Sequence, residues 1–391
     1  MVYKVIGLMS GSSLDGLDIA YVHLQERVSG SASSAASGSA QKPKSWEFQL
    51  VHTACYPYTA EWRQRLAMAP GASALEYQLL HTEYGHYLGQ QVLRFIEEHG
   101  IQYQVQLIAS HGHTALHWPA RKMTAQLGDG AALAAVTRIN VVSDLRAMDL
   151  ALGGQGAPIV PIGEQLLLSG YELFLNIGGI ANISRHGVSG EPGSGAVTGS
   201  GGFVAFDVCP AGRMLNELAA DEGLAYDEGG ALAAGGRVDE ALLRKLEALP
   251  YYGMGYPKSL SNEFGMQTVL PLIREAGLST ADALRTYTEH IAGQVRLAVE
   301  TLLIGDGGAV RLLATGGGAH NTFLIGRIRE RLSGPGVEVV VPDAALVDYK
   351  EALIMALIGV LRWREENNVL ASVTGASRDS IGGAVWIGQE A

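Results

Sequence analysis

The sequence predicts an α/β protein of two domains. Three observations carry that expectation. The chain has 391 residues, too many for one simple hydrophobic core. Its first part orders as β-β-β-α-β-α-β, hairpins mixed with crossovers. After Pro158-Ile-Val-Pro161 a similar pattern begins again, opening on a strand, a glycine bend and another strand. The expected domains are 1–143 together with the C-terminal segment 365–391, and 144–364.

In the first half, strands are expected at Tyr3–Met9, Leu17–Gln25 and Trp46–Tyr56, which alternate loosely and are rich in Val, Ile, Tyr and Leu. Ser29–Lys44, rich in Ser, Ala and Gly, reads as a flexible surface loop. Ser73–His99 reads as a helix, with Leu75, Leu79, Leu80, Tyr84, Leu88, Val92 and Phe95 at helical spacing. Ser73 with Glu76 has the form of a capping box, and Gly100 that of a stop. Short strands are expected at Val105–Ser110 and Ile139–Ser143.

In the second half, Leu173–Ser184 reads as strand material with a Gly-Gly bend, Glu191–Gly202 as a glycine-rich loop and Phe203–Val208 as a strand ending on an acid. Helices are expected at Met214–Ala220, Val238–Leu249, Ala281–Leu303 and Glu351–Arg364. Arg311–Ala314 runs as a strand into Thr315–Asn321, and Val337–Val341 is a further strand. Glycine turns at strand ends in both halves predict a ligand cleft between them.

Composition bounds the function. Hydrophobic residues make up 47% and charged residues 17%, as in a globular chain. The net charge is −11 with no basic run, which argues against nucleic acid or an anionic membrane as partner. A small anion held by local Arg or Lys remains compatible. Two cysteines, Cys55 and Cys209, make no disulfide framework and suit a reducing cytoplasm. No secretory signal is expected at the N-terminus, and the apolar stretch Ala352–Val360 is too short to span a bilayer.

Three glycine turns point to a split nucleotide site. The first is the hairpin tip Gly11, Ser12, Ser13, Leu14, Asp15, Gly16, Leu17 and Asp18. Its glycines let backbone N–H groups approach an anion, and its serines add donors. Asp15 and Asp18 carry the sign of a phosphate, so they fit only with Mg²⁺ between carboxylate and phosphate. The second is Asn176–Asn182, with Asn176, Gly178 and Gly179. The third is Thr315–Asn321, with Gly316, Gly317 and Gly318 ahead of a helix N-terminus. Each turn alone would equally suit an ordinary tight turn. A P-loop is absent, and no Gly-x-Gly-x-x-Gly sits in a βαβ context.

Other residues add chemistry. Asp207 at a strand end is placed as a general base. Cys209 lacks the Cys-x₅-Arg arrangement of a phosphatase and reads as a buried thiol. His111, His113 and His117 have no carboxylate or Cys partners at metal-ligand spacing, so they read as polar contacts to a substrate. Arg146 could pair with a substrate carboxylate, or with Asp149 in an interdomain salt bridge. Pro257-Lys258-Ser259 and Glu263 form a polar spot after a Tyr-rich turn. Glu351 stands at the start of an apolar helix.

These motifs together resemble one family. The stretches GLMSGSSLDGLD, SHGHTALH, DLRAMDLALGGQGAPIVP, LNIGGIANIS, FDVCPAGRMLN, PKSLSNEF, TGGGAHN and SVTGA occur in this order between Val5 and Gly388. The combination resembles the anhydro-N-acetylmuramic acid kinases, of the sugar kinase, actin and heat-shock ATPase superfamily. The resemblance implies a two-domain actin/hexokinase-like (ribonuclease H-like) fold with a nucleotide and sugar cleft between domains. It implies ATP-dependent conversion of 1,6-anhydro-N-acetylmuramic acid to N-acetylmuramic acid 6-phosphate, a step of peptidoglycan recycling, in a cytoplasmic homodimer. On this resemblance Asp207 deprotonates the attacking water, and Asp15 and Glu351 lie near Mg²⁺ and the phosphates, Glu351 with a catalytic part. Asn176–Gly179 and Gly316–Gly318 flank the nucleotide, and His111, His117, Arg146 and Asp149 contact the sugar or its lactyl carboxylate. The chain departs from the family pattern in Val208-Cys-Pro-Ala-Gly212 for Thr-Gly-Pro-Gly-Asn, in His113 for Gln, in Ser259-Leu-Ser for Ser-Thr-Gly, and in the extra Ser29–Lys44 loop. Competing readings are a kinase for another anhydro sugar such as levoglucosan, an ordinary hydroxyl kinase, and an ATP-gated binding protein without transfer.

Overall fold

Apolar alternation becomes strands close to where the sequence places them, and two sheets result. The structure, a computed structural model, describes all residues except 12, 28–44, 189–201, 257, 262, 304–309, 335 and 389–391. Ser12, Pro257, the loop Ser29–Lys44 and nearly all of Glu191–Gly202 therefore lie outside the described residues. The strands are β1 Val2–Ser10, β2 Gly16–Arg27, β3 Ser45–Pro57, β4 Leu107–Trp118, β5 Met123–Leu127, β6 Val141–Ser143, β7 Leu173–Ile177, β8 Ile180–Val188, β9 Gly202–Pro210, β10 Val310–Thr315, β11 Val337–Val340 and β12 Ala384–Trp386.

The chain divides into two compact units, Met1–Ser169 with Tyr349–Ala391, and Gly170–Asp348. The first unit's sheet has the order β12-β6-β4-β1-β2-β3, with β5 on β4; the second has β11-β10-β7-β8-β9. In the first, β1 and β2, then β2 and β3, pair antiparallel, while β1–β4 and β4–β6 are parallel. In the second, β7–β8 and β8–β9 are antiparallel, while β7–β10 and β10–β11 are parallel. Each unit thus has a three-strand meander whose first strand also begins a parallel series reached by crossovers. This is the expected ribonuclease H-like plan, present twice, as in the actin/hexokinase-like class.

Side-chain chemistry accounts for the layers. In the first unit Ile6, Leu8, Leu17, Ile19 and Tyr21 of the meander pack with Leu80, Tyr84, Leu88, Val92 and Phe95 of the helix Ala74–Glu98. Both bonds of the Ser73–Glu76 capping box form, and Gly100 stops the helix at φ +62°. Leu75 and Leu79, counted with the apolar stripe from sequence, are instead 70% and 53% exposed, because the buried stripe begins at Leu80. In the second unit Leu284, Tyr287, Ile291, Val295 and Val299 of the helix Thr280–Leu302 pack over Leu173, Leu175, Ile183 and Leu312.

The domain boundaries differ from the expected 1–143 with 365–391 and 144–364. Residues 144–169 and the helix after Tyr349 belong to the first unit. Direct bonds hold them there. Lys350 and Glu164 form a buried ion pair at 2.9 Å. Gln155 N–H donates to the Thr374 carbonyl, and Ser377 N–H to that of Leu152. A Cβ on Gly7 of β1 would lie 1.8 Å from the Ala352 carbonyl oxygen, so the helix lies directly on the strand. That helix, Ala344–Trp363, starts earlier than expected and departs from helical angles at Tyr349, where the chain passes between units.

Two outcomes follow from this packing. Gly7→Val is expected to cost several kcal/mol, because neither backbone can move away. Thermal melting tests it, and a midpoint unchanged within about a degree would contradict the close approach. His290 is fully buried, neither ring nitrogen has a partner among the described residues, and burial pushes its pKa down from 6.5 to about 3. The unfolded chain binds that proton below about pH 6.5 and the native chain does not, so stability is lost as pH falls. His290→Leu is therefore expected to gain stability relative to the parent, by about 2 kcal/mol more at pH 5 than at pH 8. A difference independent of pH would contradict this.

Candidate active site

In the first unit the polar residues gather where β1 ends beside the middle of β4, which runs on to Trp118 and does not stop before the histidines as expected. β1 closes on Ser10, the tip runs from Gly11 to Asp15, and β2 starts at Gly16. Leu14 has φ +59°, its N–H reaches the Gly11 carbonyl at 3.4 Å, and the Asp15 carbonyl accepts from Tyr58 N–H at 3.2 Å. Ser13 and Asp15 are exposed. The tip is shorter than expected. Gly16, Leu17 and Asp18 belong to β2, opposite Pro57, Tyr56 and Cys55. Gly16 is small because a Cβ would lie 2.7 Å from Cys55 Sγ and the Tyr56 carbonyl, and Leu17 is core. Asp18 lies in register with Met9. Leu17 and Asp18 lie in β2 as the expected strand Leu17–Gln25 has them, Gly16 joins that strand at its start, and Gly11 and Asp15 keep open surroundings.

A bulge interrupts β4 midway. Between Leu8 and Ser10, β1 advances two residues while β4 advances three, from Ser110 to His113. Gly112 takes up the extra residue at φ +70°, where a Cβ would sit 2.4 Å from the Leu127 carbonyl. Bulges of this kind re-aim side chains beside active sites. His111, buried, has Nε2 2.8 Å from Arg146 Nε and Nδ1 2.8 Å from the Gly112 carbonyl. Arginine can only donate, so Nε2 accepts and Nδ1 carries the proton. Burial, then the Arg146 charge, push His111 down to about 3, which keeps this neutral form.

Arg146 also donates to the Gly156 carbonyl at 2.7 Å. Burial pushes its guanidinium down to about 10, and the Glu351 carboxylate opposes that. Its Nη2 edge has no partner among the described residues. The salt bridge to Asp149 weighed from sequence does not form. Asp149 is fully buried, accepting from Thr374 Oγ1 at 2.6 Å and Gly156 N–H at 2.7 Å. A Cβ on Gly154 would lie 2.2 Å from its Oδ2. The expected substrate contact at Asp149 is thus corrected: it pins the Gly153–Gly156 loop, whose carbonyl holds Arg146. His117 Nδ1 lies 3.1 Å from Thr124 Oγ1, and burial and Arg146 lower its pKa. Glu351 is partly buried, two residues past the Tyr349 irregularity. Burial raises its pKa, and Lys350 and Arg146 pull it down. His111, His117, Arg146 and Glu351 are thus one electrostatic group.

In the second unit two of the three glycine turns meet. A Cβ on Gly316, which has φ +82°, would lie 2.4 Å from Asn176 Oδ1, and one on Gly318 would lie 2.3 Å from Ile177 Cγ2. Gly317 meets nothing within 4 Å, so its backbone stays open. Gly178 and Gly179 turn β7 into β8, and their carbonyls accept from Gly212 and Ala211 N–H at 2.9 and 2.8 Å. Those amides at the start of the helix Gly212–Ala219 are thereby used. The Gly11 tip belongs to the other unit.

Asp207 lies in β9, opposite Asn182. Its Oδ2 accepts from Leu260 N–H at 2.8 Å, and its own N–H donates to the Lys258 carbonyl at 3.2 Å. Tyr251 OH donates to the Asp207 carbonyl at 2.6 Å. Oδ1 has no partner among the described residues. Burial raises the carboxyl pKa, and the Leu260 bond opposes it. A carboxylate with one oxygen tethered, the other free and its basicity raised is suited to taking a proton. Cys209 is buried and its thiol pKa is pushed up, as the sequence indicates for an inert thiol.

Sequence reasoning missed the supports. Leu260, Thr374 and Gly156 act through backbone or buried bonds, for which residue type gives no signal. The polar spot at Lys258-Ser259 and the motif SVTGA were the available hints. Among the described residues no three His, Cys, Asp or Glu gather to hold a metal by themselves. Mg²⁺ on nucleotide phosphates needs only one or two protein carboxylates.

Comparison with known proteins bears on these residues together. The family model for anhydro-N-acetylmuramic acid kinase matches residues 3–388. Proteins named anhydro-N-acetylmuramic acid kinase are 35% identical in Gloeobacter violaceus, over 95% of this chain and 96% of that one, and 33% identical in Vibrio vulnificus, over 95% of each. One from Streptomyces coelicolor is 34% identical, over 99% of this chain and 94% of its own length. On this match, the chain belongs to the anhydro-N-acetylmuramic acid kinase family.

Proposed function

We propose that this kinase uses ATP and water to convert 1,6-anhydro-N-acetylmuramic acid to N-acetylmuramic acid 6-phosphate, within peptidoglycan recycling. The observation that carries the reading is Asp207, tethered through Oδ2 and with no partner at Oδ1 among the described residues. Asp207 takes a proton from water as the water oxygen bonds to the anomeric carbon. The bond from that carbon to the bridging 6-oxygen breaks. The 6-oxygen bonds to the γ-phosphorus, and ADP leaves with the electrons of the broken P–O bond. Backbone amides of the Gly11 tip and the open face at Gly317 supply donors for phosphate oxygens. Asp15 and Glu351 would hold Mg²⁺, which supplies charge neutralisation for the phosphates when bound. The neutral His111 holds Arg146 with a free guanidinium edge, which suits the lactyl carboxylate.

The wider setting belongs to the same proposal. The partner is a small anhydro sugar, and the working state is a cytoplasmic homodimer. Two cysteines, too few for a disulfide framework, suit a reducing compartment. No helix among the described residues is long and apolar enough to cross a membrane.

Asp207→Asn is expected to fold and bind ATP but lose roughly 10³-fold or more in kcat. Activity retained within about tenfold would remove Asp207 from the role of base. Arg146→Ala is expected to weaken turnover of the muramic-type sugar at least about tenfold more than that of a neutral anhydro sugar such as levoglucosan. Equal losses on both would show that Arg146 does not read the carboxylate and would favour the neutral sugar as substrate.

A further inference from the structure

A buried chain of polar groups in the first unit has no part in the roles above. Tyr84 OH and Tyr58 OH are 2.6 Å apart, Tyr58 OH donates to Ser10 Oγ at 2.7 Å, and Ser10 Oγ lies 3.2 Å from His113 Nδ1. Their exposures are 0%, 3%, 3% and 5%. In such a place each hydroxyl proton needs an acceptor.

The Tyr58 donor gives the chain its direction. Tyr58 gives its proton to Ser10. Tyr84 therefore donates to Tyr58. The Ser10 proton then has His113 Nδ1 as its acceptor. The Tyr84 hydroxyl also lies within bonding reach of Ser10, and burial raises its pKa well above the ordinary value, so it stays protonated. Burial also lowers the pKa of His113, which is thus a neutral imidazole. Its single proton sits on Nε2, and that N–H has no acceptor among the described residues.

The placement gives this donor a use. Ser10 is the last residue of β1 before the Gly11 tip, and His113 lies opposite it across the bulge at Gly112. His111, two residues before His113, carries Arg146. A neutral N–H suits a hydroxyl or acetamido oxygen, whereas the guanidinium suits an anion. We propose that His113 is a specificity-determining residue whose Nε2–H donates to a neutral oxygen of the sugar, and that Ser10, Tyr58 and Tyr84 are positioning residues that fix its tautomer. This rests on the sugar-kinase reading above.

The test joins ¹⁵N-histidine NMR of the full chain to steady-state kinetics with Mg·ATP and 1,6-anhydro-N-acetylmuramic acid. The parent is expected to show His113 protonated at Nε2 alone, and Ser10→Ala to show a mixture of tautomers. His113→Ala is expected to raise KM for the sugar about tenfold and leave KM for ATP within about twofold. His113→Gln, whose amide supplies an N–H at similar reach, is expected to restore the sugar KM to within about threefold. An Nδ1-protonated His113 in the parent, or an unchanged sugar KM in His113→Ala, overturns the proposal. A parent that turns over no sugar overturns the functional reading and the sugar as the acceptor, while the spectra still decide the tautomer and its dependence on Ser10.

Discussion

The polar equipment of the first unit depends on keeping one part-buried cation without neutralising it. Arg146 achieves this through two neutral acceptors, His111 Nε2 and the Gly156 carbonyl. Neither cancels its charge, and Glu351 nearby compensates only at longer range. Each acceptor has its own support. His111 is held in one tautomer by the Gly112 carbonyl, and the Gly156 loop is held by the buried Asp149. The cost of the part-buried charge is thus spread over the bulge in β4, the Gly153–Gly156 loop and the C-terminal Thr374. Such an arrangement leaves a guanidinium edge free for an anion.

The second unit repeats the strand plan and carries the opposite chemistry. Its glycine shelf exists because β7 runs so close to Gly316 and Gly318 that a side chain cannot fit. Its acid, Asp207, is tethered by the segment at Lys258–Leu260, which supplies a backbone N–H and a carbonyl to the same residue. One unit thus presents a cation and neutral imidazoles, the other a basic carboxylate and bare backbone.

Much of this was legible in the sequence. The strands of the first meander, the capping box at Ser73 and the Gly-Gly bend all follow from local rules, because alternation and capping residues act over a few positions. That Asp207 lies on a strand was legible for the same reason, although β9 runs on to Pro210 and does not end on the acid. Other features depend on distant partners and were not. Gly16 looked like a tip residue only, yet the approach of Cys55 and Tyr56 makes it strand. Asp149 looked like a polar contact, since nothing local announces its bonds to Thr374 and Gly156. The helix after Tyr349 was assigned to the wrong domain because it follows β11 directly, while its packing partner, Gly7, stands more than three hundred residues earlier.

The central claim is that phosphoryl transfer is coupled to opening of the anhydro bridge. The most direct measurement supplies Mg·ATP and 1,6-anhydro-N-acetylmuramic acid, follows ADP release, and weighs the sugar by mass spectrometry. The account requires one ADP per sugar converted and a product heavier by both a phosphoryl group and a water. A product that gains phosphate without water, or ADP release with the anhydro sugar unchanged, would contradict it.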